Sequence, residues 1–213
     1  MTSAWADSCE PSTARSNDLP RYLPGIREAV RDSLRLEVDG RTFLRSFAEA
    51  DAAALFALVD ANRSYLREWL PWLDHVRSVD DIREFLRGVS ERERAGSSLE
   101  LAIVHDGALA GVAGFRALDP GNRSGELGYW LAADRQGRGI VTGACRALAR
   151  HGFESLGLHR LVLIAASANA RSRGVAERLG FRLEGELREY EWLYDHFVDA
   201  ALYALLRGDG LRE

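Results

Sequence analysis

A strand-like run, Glu126-Leu127-Gly128-Tyr129-Trp130-Leu131, leads into Asp134-Arg135-Gln136-Gly137-Arg138-Gly139-Ile140-Val141-Thr142, and a helix-like run follows from Ile140 to about Phe153. A strand, a glycine-interrupted loop and a helix N-terminus in that order leave few local folds open. Glycine lets the backbone approach a ligand with no Cβ in the way. The first N–H groups of a helix lack intrahelical acceptors and lie at the positive end of its dipole. A phosphate or pyrophosphate fits such a place. A strand-to-helix turn also uses glycine for steric reasons alone, so two glycines do not by themselves name a ligand.

Two common phosphate sites are excluded. Gly137, Gly139 and Gly143 read G-x-G-x-x-x-G, which is not the dinucleotide spacing. The next strand, Leu161 to Ala165, is followed by Ala166-Ser167-Ala168-Asn169, with no acid to hold a ribose. A P-loop ends in G-K-[ST], and all 28 basic residues of this chain are arginine.

The rest of the chain divides into a leader and a core. Residues 1–32 hold three of the five prolines (Pro11, Pro20, Pro24) among Ser, Asp and Asn, a composition that predicts disorder over at least the first 18, with a short helix at Arg27 to Arg31. The core is expected over 33–213. It opens with a strand at Ser33 to Val38, an Asp39-Gly40 hairpin turn and a strand at Arg41 to Arg45. From Glu49 to Leu70, apolar residues recur at helical spacing, giving two helices broken near Asn62 and stopped by Pro71. Asp80 to Arg94 is an amphipathic helix with Ile82, Phe85, Leu86 and Val89 inward. Asp106-Gly107, between Ser98–Val104 and Leu109–Phe115, is a hairpin signal, and Pro120-Gly121-Asn122 marks the turn before the Glu126 strand. The chain closes with a helix from Ala170 to Leu179 ended by Gly180, a strand from Phe181 to about Trp192, a turn at Tyr194-Asp195-His196, and a strand from Val198 to Leu206. This is a mixed α/β order with antiparallel hairpins and one crossover helix.

Glu126-Leu127-Gly128-Tyr129-Trp130-Leu131, Gln136-Gly137-Arg138-Gly139-Ile140, Leu158-His159-Arg160-Leu161, Asn169-Ala170-Arg171-Ser172, Arg178-Leu179-Gly180-Phe181 and Glu184-Gly185 occur in that order. Together they resemble the GNAT superfamily of acetyltransferases, and are most similar to its RimL-type ribosomal-protein N-terminal acetyltransferases. The resemblance spans about residues 34–207. It implies a mostly antiparallel, splayed central sheet flanked by helices, acetyl-CoA as co-substrate and an amine as acceptor. A homodimer is expected on the same ground.

Residue by residue, the resemblance places the pyrophosphate on the amides of Gln136, Gly137, Arg138, Gly139 and Ile140, with Val141 and Thr142 in the helix's first turn. The sheet is expected to splay after Leu163-Ile164-Ala165, freeing amides near Trp130 and Leu131 for the pantetheine and the thioester oxygen. Such donors contribute ~3–4 kcal/mol each to an oxyanion. Asn169 is expected on the pantetheine arm, and Ser172 as proton donor to the leaving thiolate. Asn169 is equally an N-cap for the helix that follows. Glu191 falls at the family's general base. An α-amine, with a pKa of ~7.7–8.0, asks less of a carboxylate base than a lysine at ~10.4. Tyr65, Trp69 and Trp72 fall near the helical excursion that lines the acceptor side, although core packing also accounts for Trp69. The loop departs from the family at Asp134, where many members carry Arg or Gln, and Arg135 and Arg138 are candidates to restore positive charge.

Composition narrows the class further. The formal charge of −4 gives no global pull toward nucleic acid. No apolar run reaches the ~18–20 residues that span a bilayer, and no secretory signal is visible, so the expected setting is the cytoplasm. Cys9 and Cys145 are too few for a disulfide framework, and the histidines show no metal-ligand spacing. With no lysine, the chain has no lysine amine of its own to acetylate. Two classes remain open: an enzyme acetylating a protein N-terminus or a small amine (a polyamine, an amino acid or an aminoglycoside), and an acyl-CoA-binding module without catalysis. The presence of both Ser172 and Glu191 favours the enzyme.

Overall fold

The computed structural model describes residues 34–212. Eight strands form one sheet: β1 (Arg35–Glu37), β2 (Thr42–Arg45), β3 (Leu99–His105), β4 (Ala108–Asp119), β5 (Ser124–Leu131), β6 (Arg160–Ala166), β7 (Arg182–Leu193) and β8 (His196–Leu206). Their order is β1-β2-β3-β4-β5-β6-β8-β7. Every neighbouring pair is antiparallel except β5 and β6. The helices are α1 (Ala52–Ala61), α2 (Arg63–Leu66), α3 (Val79–Ala95), α4 (Ile140–Glu154) and α5 (Ala170–Leu179). A parallel pair cannot be joined by a hairpin, and α4 is the crossover between β5 and β6. The mixed, mostly antiparallel sheet flanked by helices is the architecture expected.

Caps set the helix ends. Ser78 accepts from the Asp81 amide, and the Asp81 carboxylate accepts from the Ser78 amide, closing a capping box at the start of α3. Asn169 accepts from Ser172 N–H and opens α5, while Gly180, at φ 88°, ends it in the left-handed region. The α1–α2 break falls at Asn62, as the pattern predicts. Asp106 and Gly107 both take positive φ (53° and 78°) in the β3–β4 turn, the form a two-residue hairpin needs.

Several boundaries differ from the sequence expectation. The first strand is only Arg35–Glu37, and its pairing of Glu37 with Phe43 makes a wider connection than a tight Asp39-Gly40 turn. His196, expected in the last turn, already pairs with Leu193 as the first residue of β8. The leader over 1–32 and its helix at Arg27 to Arg31 lie outside the described residues.

The main core lies between one sheet face and α4 and α5, around Phe115, Leu127, Leu148, Leu161 and Tyr203. A smaller cluster joins α1 and α3 to the other face through Val112, with Trp130 packed against it. The central strand β3 is buried along its whole length. No helix among the described residues is long and apolar enough to cross a membrane.

One half-buried carboxylate sets a pH dependence of stability. Burial pushes the Glu93 carboxyl up to about 7 from 4.5, with Glu100 adding to the push and the Glu100 amide and Arg92 opposing it. The folded chain therefore binds this proton more tightly than the unfolded chain, and stability falls as pH rises from about 4.5 to about 7. Glu93→Gln is expected to flatten that slope and to raise stability at pH 8 by about 1.5 kcal/mol, allowing for solvent screening of a half-buried group. Thermal denaturation of both proteins between pH 5 and 8 checks this; parallel curves would contradict it.

Candidate active site

The site is organised by a gap in the sheet. β4 stays paired with β5 out to Leu131, and β6 stays paired with β8 out to Ala166. Pairing between β5 and β6 stops at Leu127 and Leu163. Each strand keeps its outer partner, so the two part at once, two residues earlier than the expected opening after Ala165. Ala132 N–H donates to the Ala110 carbonyl at 2.8 Å. Successive strand amides face opposite edges, so those of Tyr129 and Leu131 point into the gap and that of Trp130 faces β4. Leu131 is buried in the main core, while the Trp130 indole reaches the opposite face.

The glycine loop stands at the mouth of this gap. Gly137 and Gly139 have φ of 73° and 77°, and a Cβ built on either meets no atom within 4 Å. Both glycines therefore border open space, where an added Cβ meets no protein atom. Gly139 is the N-cap of α4, Ile140 is buried beneath the loop, and Val141 packs on the core. Two arginines from α5 reach the loop: Arg171 donates to Gln136 Oε1 at 2.7 Å, and Arg178 to Thr142 Oγ1 at 3.3 Å. Arg135 pairs with Asp134 at 3.2 Å, and Arg138 is exposed. The open left-handed loop, the helix N-terminus and the flanking cations suit a pyrophosphate, and the gap behind it suits an extended arm.

Charged groups gather at the closed end. Arg116 is the extra residue of a bulge in β4, between Phe115 and Ala117, and its Nε donates to Glu126 at 2.6 Å. Glu126 pairs with Val162, one position before the strands part. β7 is bulged as well: the register moves from Leu187 opposite Ala200 to Glu191 opposite Val198, with Glu189 at φ 50° and its amide donating to Asp199. Bulges re-aim side chains, and this one leaves Glu191 half-buried and within electrostatic reach of Arg116 and Glu126. Burial pushes the Glu191 carboxyl above its ordinary range; Arg116 pulls it down and Glu126 pushes it up.

Other predicted residues fall on either side of the gap. Ser172 sits in the first turn of α5, its amide bound to Asn169 Oδ1 at 3.0 Å and its Oγ 2.8 Å from the Tyr129 hydroxyl. On the sheet face opposite the main core, Trp72 packs against Trp130 with ring centroids 6.4 Å apart, and Tyr65 joins the same cluster. Trp69 is half-buried and outside that cluster. The Asn62 side chain accepts from Ala133 N–H at 2.8 Å, tying the helical excursion to the glycine loop. Arg67 stacks over the Tyr194 ring at 3.7 Å, docking the β7–β8 turn on the excursion. Cys145 is fully buried, a packing residue whose thiol burial holds protonated. Among the described residues, no group of three or more metal-ligating side chains is assembled.

The sequence reading missed Tyr129 as a polar group, along with Arg116, Glu126, Arg171 and Arg178. Arg171 and Arg178 carried a signal, being two helical turns apart and so on one face of α5. Arg116 carried none, because a bulge depends on its partner strand.

A sheet parted between its parallel strands, with an anion loop at the mouth and carboxylates at the closed end, is the layout of an enzyme that draws an extended acyl donor through the sheet to an acceptor. Residues 41–182 match the Acetyltransferase (GNAT) domain, and the chain belongs to that family: it is an acetyltransferase. It is 35% identical over 179 residues to the ribosomal-protein-serine acetyltransferase of Escherichia coli (strain K12), covering 84% of this chain and 97% of that one. Its structure matches RimL, the ribosomal L7/L12 α-N-protein acetyltransferase in complex with coenzyme A, at TM-score 0.79 and 30% identity, covering 81% of this chain and 98% of that one. The microcin C7 self-immunity acetyltransferase MccE, in complex with acetyl-CoA and AMP, matches at TM-score 0.76 and 29% identity, with 79% and 94% covered.

Proposed function

We propose that this chain transfers the acetyl group of acetyl-CoA to a protein N-terminal α-amine of the ribosomal-protein type. The gap between β5 and β6 carries this reading, because it links the glycine loop to the carboxylates. The amides of Gln136 to Ile140 take the pyrophosphate, with Val141 and Thr142 in the turn behind them and Arg171 and Arg178 adding charge. Asn169 uses Oδ1 for the helix cap, which leaves its Nδ2 for a pantetheine carbonyl. The Leu131 and Tyr129 amides face the strand-like arm and the thioester oxygen.

Glu126 and Glu191 attract the acceptor's ammonium, and Tyr65, Trp72 and Trp130 wall its path. Glu191 takes the ammonium's proton, directly or through water, and passes it to solvent, which frees the nitrogen lone pair to attack the carbonyl carbon. An α-amine at ~7.7–8.0 asks less of a carboxylate base than a lysine at ~10.4, and burial raises the Glu191 carboxyl toward it. Ser172 Oγ–H bonds the sulfur as the C–S bond breaks. The second proton, shed by nitrogen after attack, passes through solvent to the thiolate, so one proton is released for each ammonium acetylated. A mass-shift screen of N-terminal peptides against polyamines, amino acids and aminoglycosides tests the acceptor. Acetylation of small amines alone would reverse the assignment, and coenzyme A binding without thiol release in the presence of any amine would leave a binding module.

Ser172→Ala is expected to lower kcat about 10- to 100-fold and to leave coenzyme A affinity near wild type, because the hydroxyl acts on the leaving group and not on the ground state. Steady-state kinetics with a coenzyme A titration checks it; an unchanged kcat would reduce Ser172 to a helix-start residue. The reading includes a homodimer in the cytoplasm. Light scattering tests the dimer.

A further inference from the structure

One polar contact spans the gap. Tyr129 lies on the stretch of β5 that has left β6, and its hydroxyl meets Ser172 on α5, at 2.8 Å from Oγ and 3.2 Å from the carbonyl oxygen. A phenol has one proton to give. The Oγ distance is the ordinary length of an O–H···O bond, whereas the carbonyl distance is long. The Ser172 carbonyl lies within α5, where the helical N–H takes one of its two lone pairs, so the longer contact is the weaker of the two claims on the phenol's proton. We infer that Tyr129 is a positioning residue for acetyl transfer: it donates to Ser172 Oγ and so leaves the serine's own proton directed at the departing sulfur.

A hydroxyl that accepts one hydrogen bond donates a stronger one, so the chain from Tyr129 to Ser172 to sulfur is cooperative. The opposite arrangement, with Ser172 donating to Tyr129, would turn that proton away from the thioester. Tyr129 itself keeps its proton throughout, because burial drives its phenol far above the ordinary value and the bond to Ser172 only partly offsets this. It orients and polarises, and it does not act as the acid. Packing also fixes the ring, since Tyr129 lies against the main core on the helix side of the sheet. The Asn169 cap holds the Ser172 amide from the other side, so the serine is held at both its backbone and its side chain.

This inference rests on Ser172 serving the leaving group, and a double-mutant cycle separates the two claims. The measurements are kcat, KM for acetyl-CoA and the thermal shift with coenzyme A for wild type, Ser172→Ala, Tyr129→Phe and the double variant. Tyr129→Phe keeps the ring and is expected to lower kcat about tenfold, with KM and the coenzyme A shift little changed. In the Ser172→Ala background it is expected to change kcat no further. If Ser172→Ala lowers kcat but Tyr129→Phe does not, or if the two losses multiply in full, the positioning role is overturned and the Ser172 role stands. If Ser172→Ala itself leaves kcat unchanged, both fall. Should Tyr129→Phe not fold, 3-fluorotyrosine and 3,5-difluorotyrosine at position 129 keep the shape and strengthen the donor stepwise. Then kcat is expected to rise with fluorination while Ser172 is present and to stay flat in Ser172→Ala; a flat response in both overturns the inference.

Discussion

Glu191→Gln is expected to lower kcat/KM by ~10²–10⁴-fold, the usual contribution of general acid–base help. The replacement is nearly isosteric and leaves the bulge that aims the side chain, so the fold and coenzyme A affinity should be retained. The pH profile carries the diagnosis. Burial and Glu126 hold the Glu191 carboxyl above its ordinary range, against the pull of Arg116. The acid limb of kcat/KM in the wild type is therefore expected above 4.5, and the carboxylate is competent only above that limb. In Glu191→Gln this limb should disappear. The deficit should shrink at high pH, where the α-amine loses its proton unaided. If Glu191 instead binds the ammonium, KM should rise while kcat at saturation stays near wild type. Equal profiles for both proteins would remove Glu191 from the reaction.

The second large effect falls on the glycine loop. Gly139→Val and Gly137→Val are each expected to abolish stabilisation by acetyl-CoA. A ligand at about 100 times its Kd stabilises by ~2.7 kcal/mol, which for a chain of this size is a shift of roughly 5–10 °C. Two separate losses are expected, because the new Cβ would meet open space and not protein. Without ligand, a β-branched residue held at φ 73° or 77° is strained by ~1–2 kcal/mol, which lowers the melting point. With ligand, the Cβ blocks the pyrophosphate's approach to the amides, and the shift itself vanishes. Thermal shift with coenzyme A, acetyl-CoA and NAD reads both. A variant that melts lower yet keeps the full ligand shift would place the pyrophosphate elsewhere, and a wild type that responds to NAD but not to coenzyme A would overturn the cofactor assignment.

What could be read from the chain alone was local in sequence. The Asn169–Ser172 contact spans three residues, and α5 starts where the sequence put it; α3 starts at Val79, one residue before the expected Asp80, on a Ser78–Asp81 capping box that the sequence reading did not single out. Gly180 ended α5 because only the left-handed region continues the chain there. The loop from Gln136 to Thr142 was legible for the same reason, since its glycines and the helix start are contiguous. Expectations that needed a partner strand were less exact. The Asp39-Gly40 turn came out wider, with Glu37 opposite Phe43 as the last pair, and β2 also pairs with the remote β3. The residues that surround the proposed base stayed hidden for a related reason. Arg116 and Glu126 are ten residues apart and Glu191 is far from both, so no spacing rule relates them.

The sequence by itself determined the elements, their order, the anion loop and the family, because propensity, caps and turn glycines act over a few residues. Only the tertiary structure decided where the sheet parts, which is fixed by β5 holding to β4 while β6 holds to β8. It also decided which side chains the bulges in β4 and β7 bring to the closed end of the gap, and that Tyr129 reaches across to Ser172. Those are outcomes of strand register and packing between residues remote in the chain, where hydrogen-bond closure and burial select one arrangement from many that the local sequence allows.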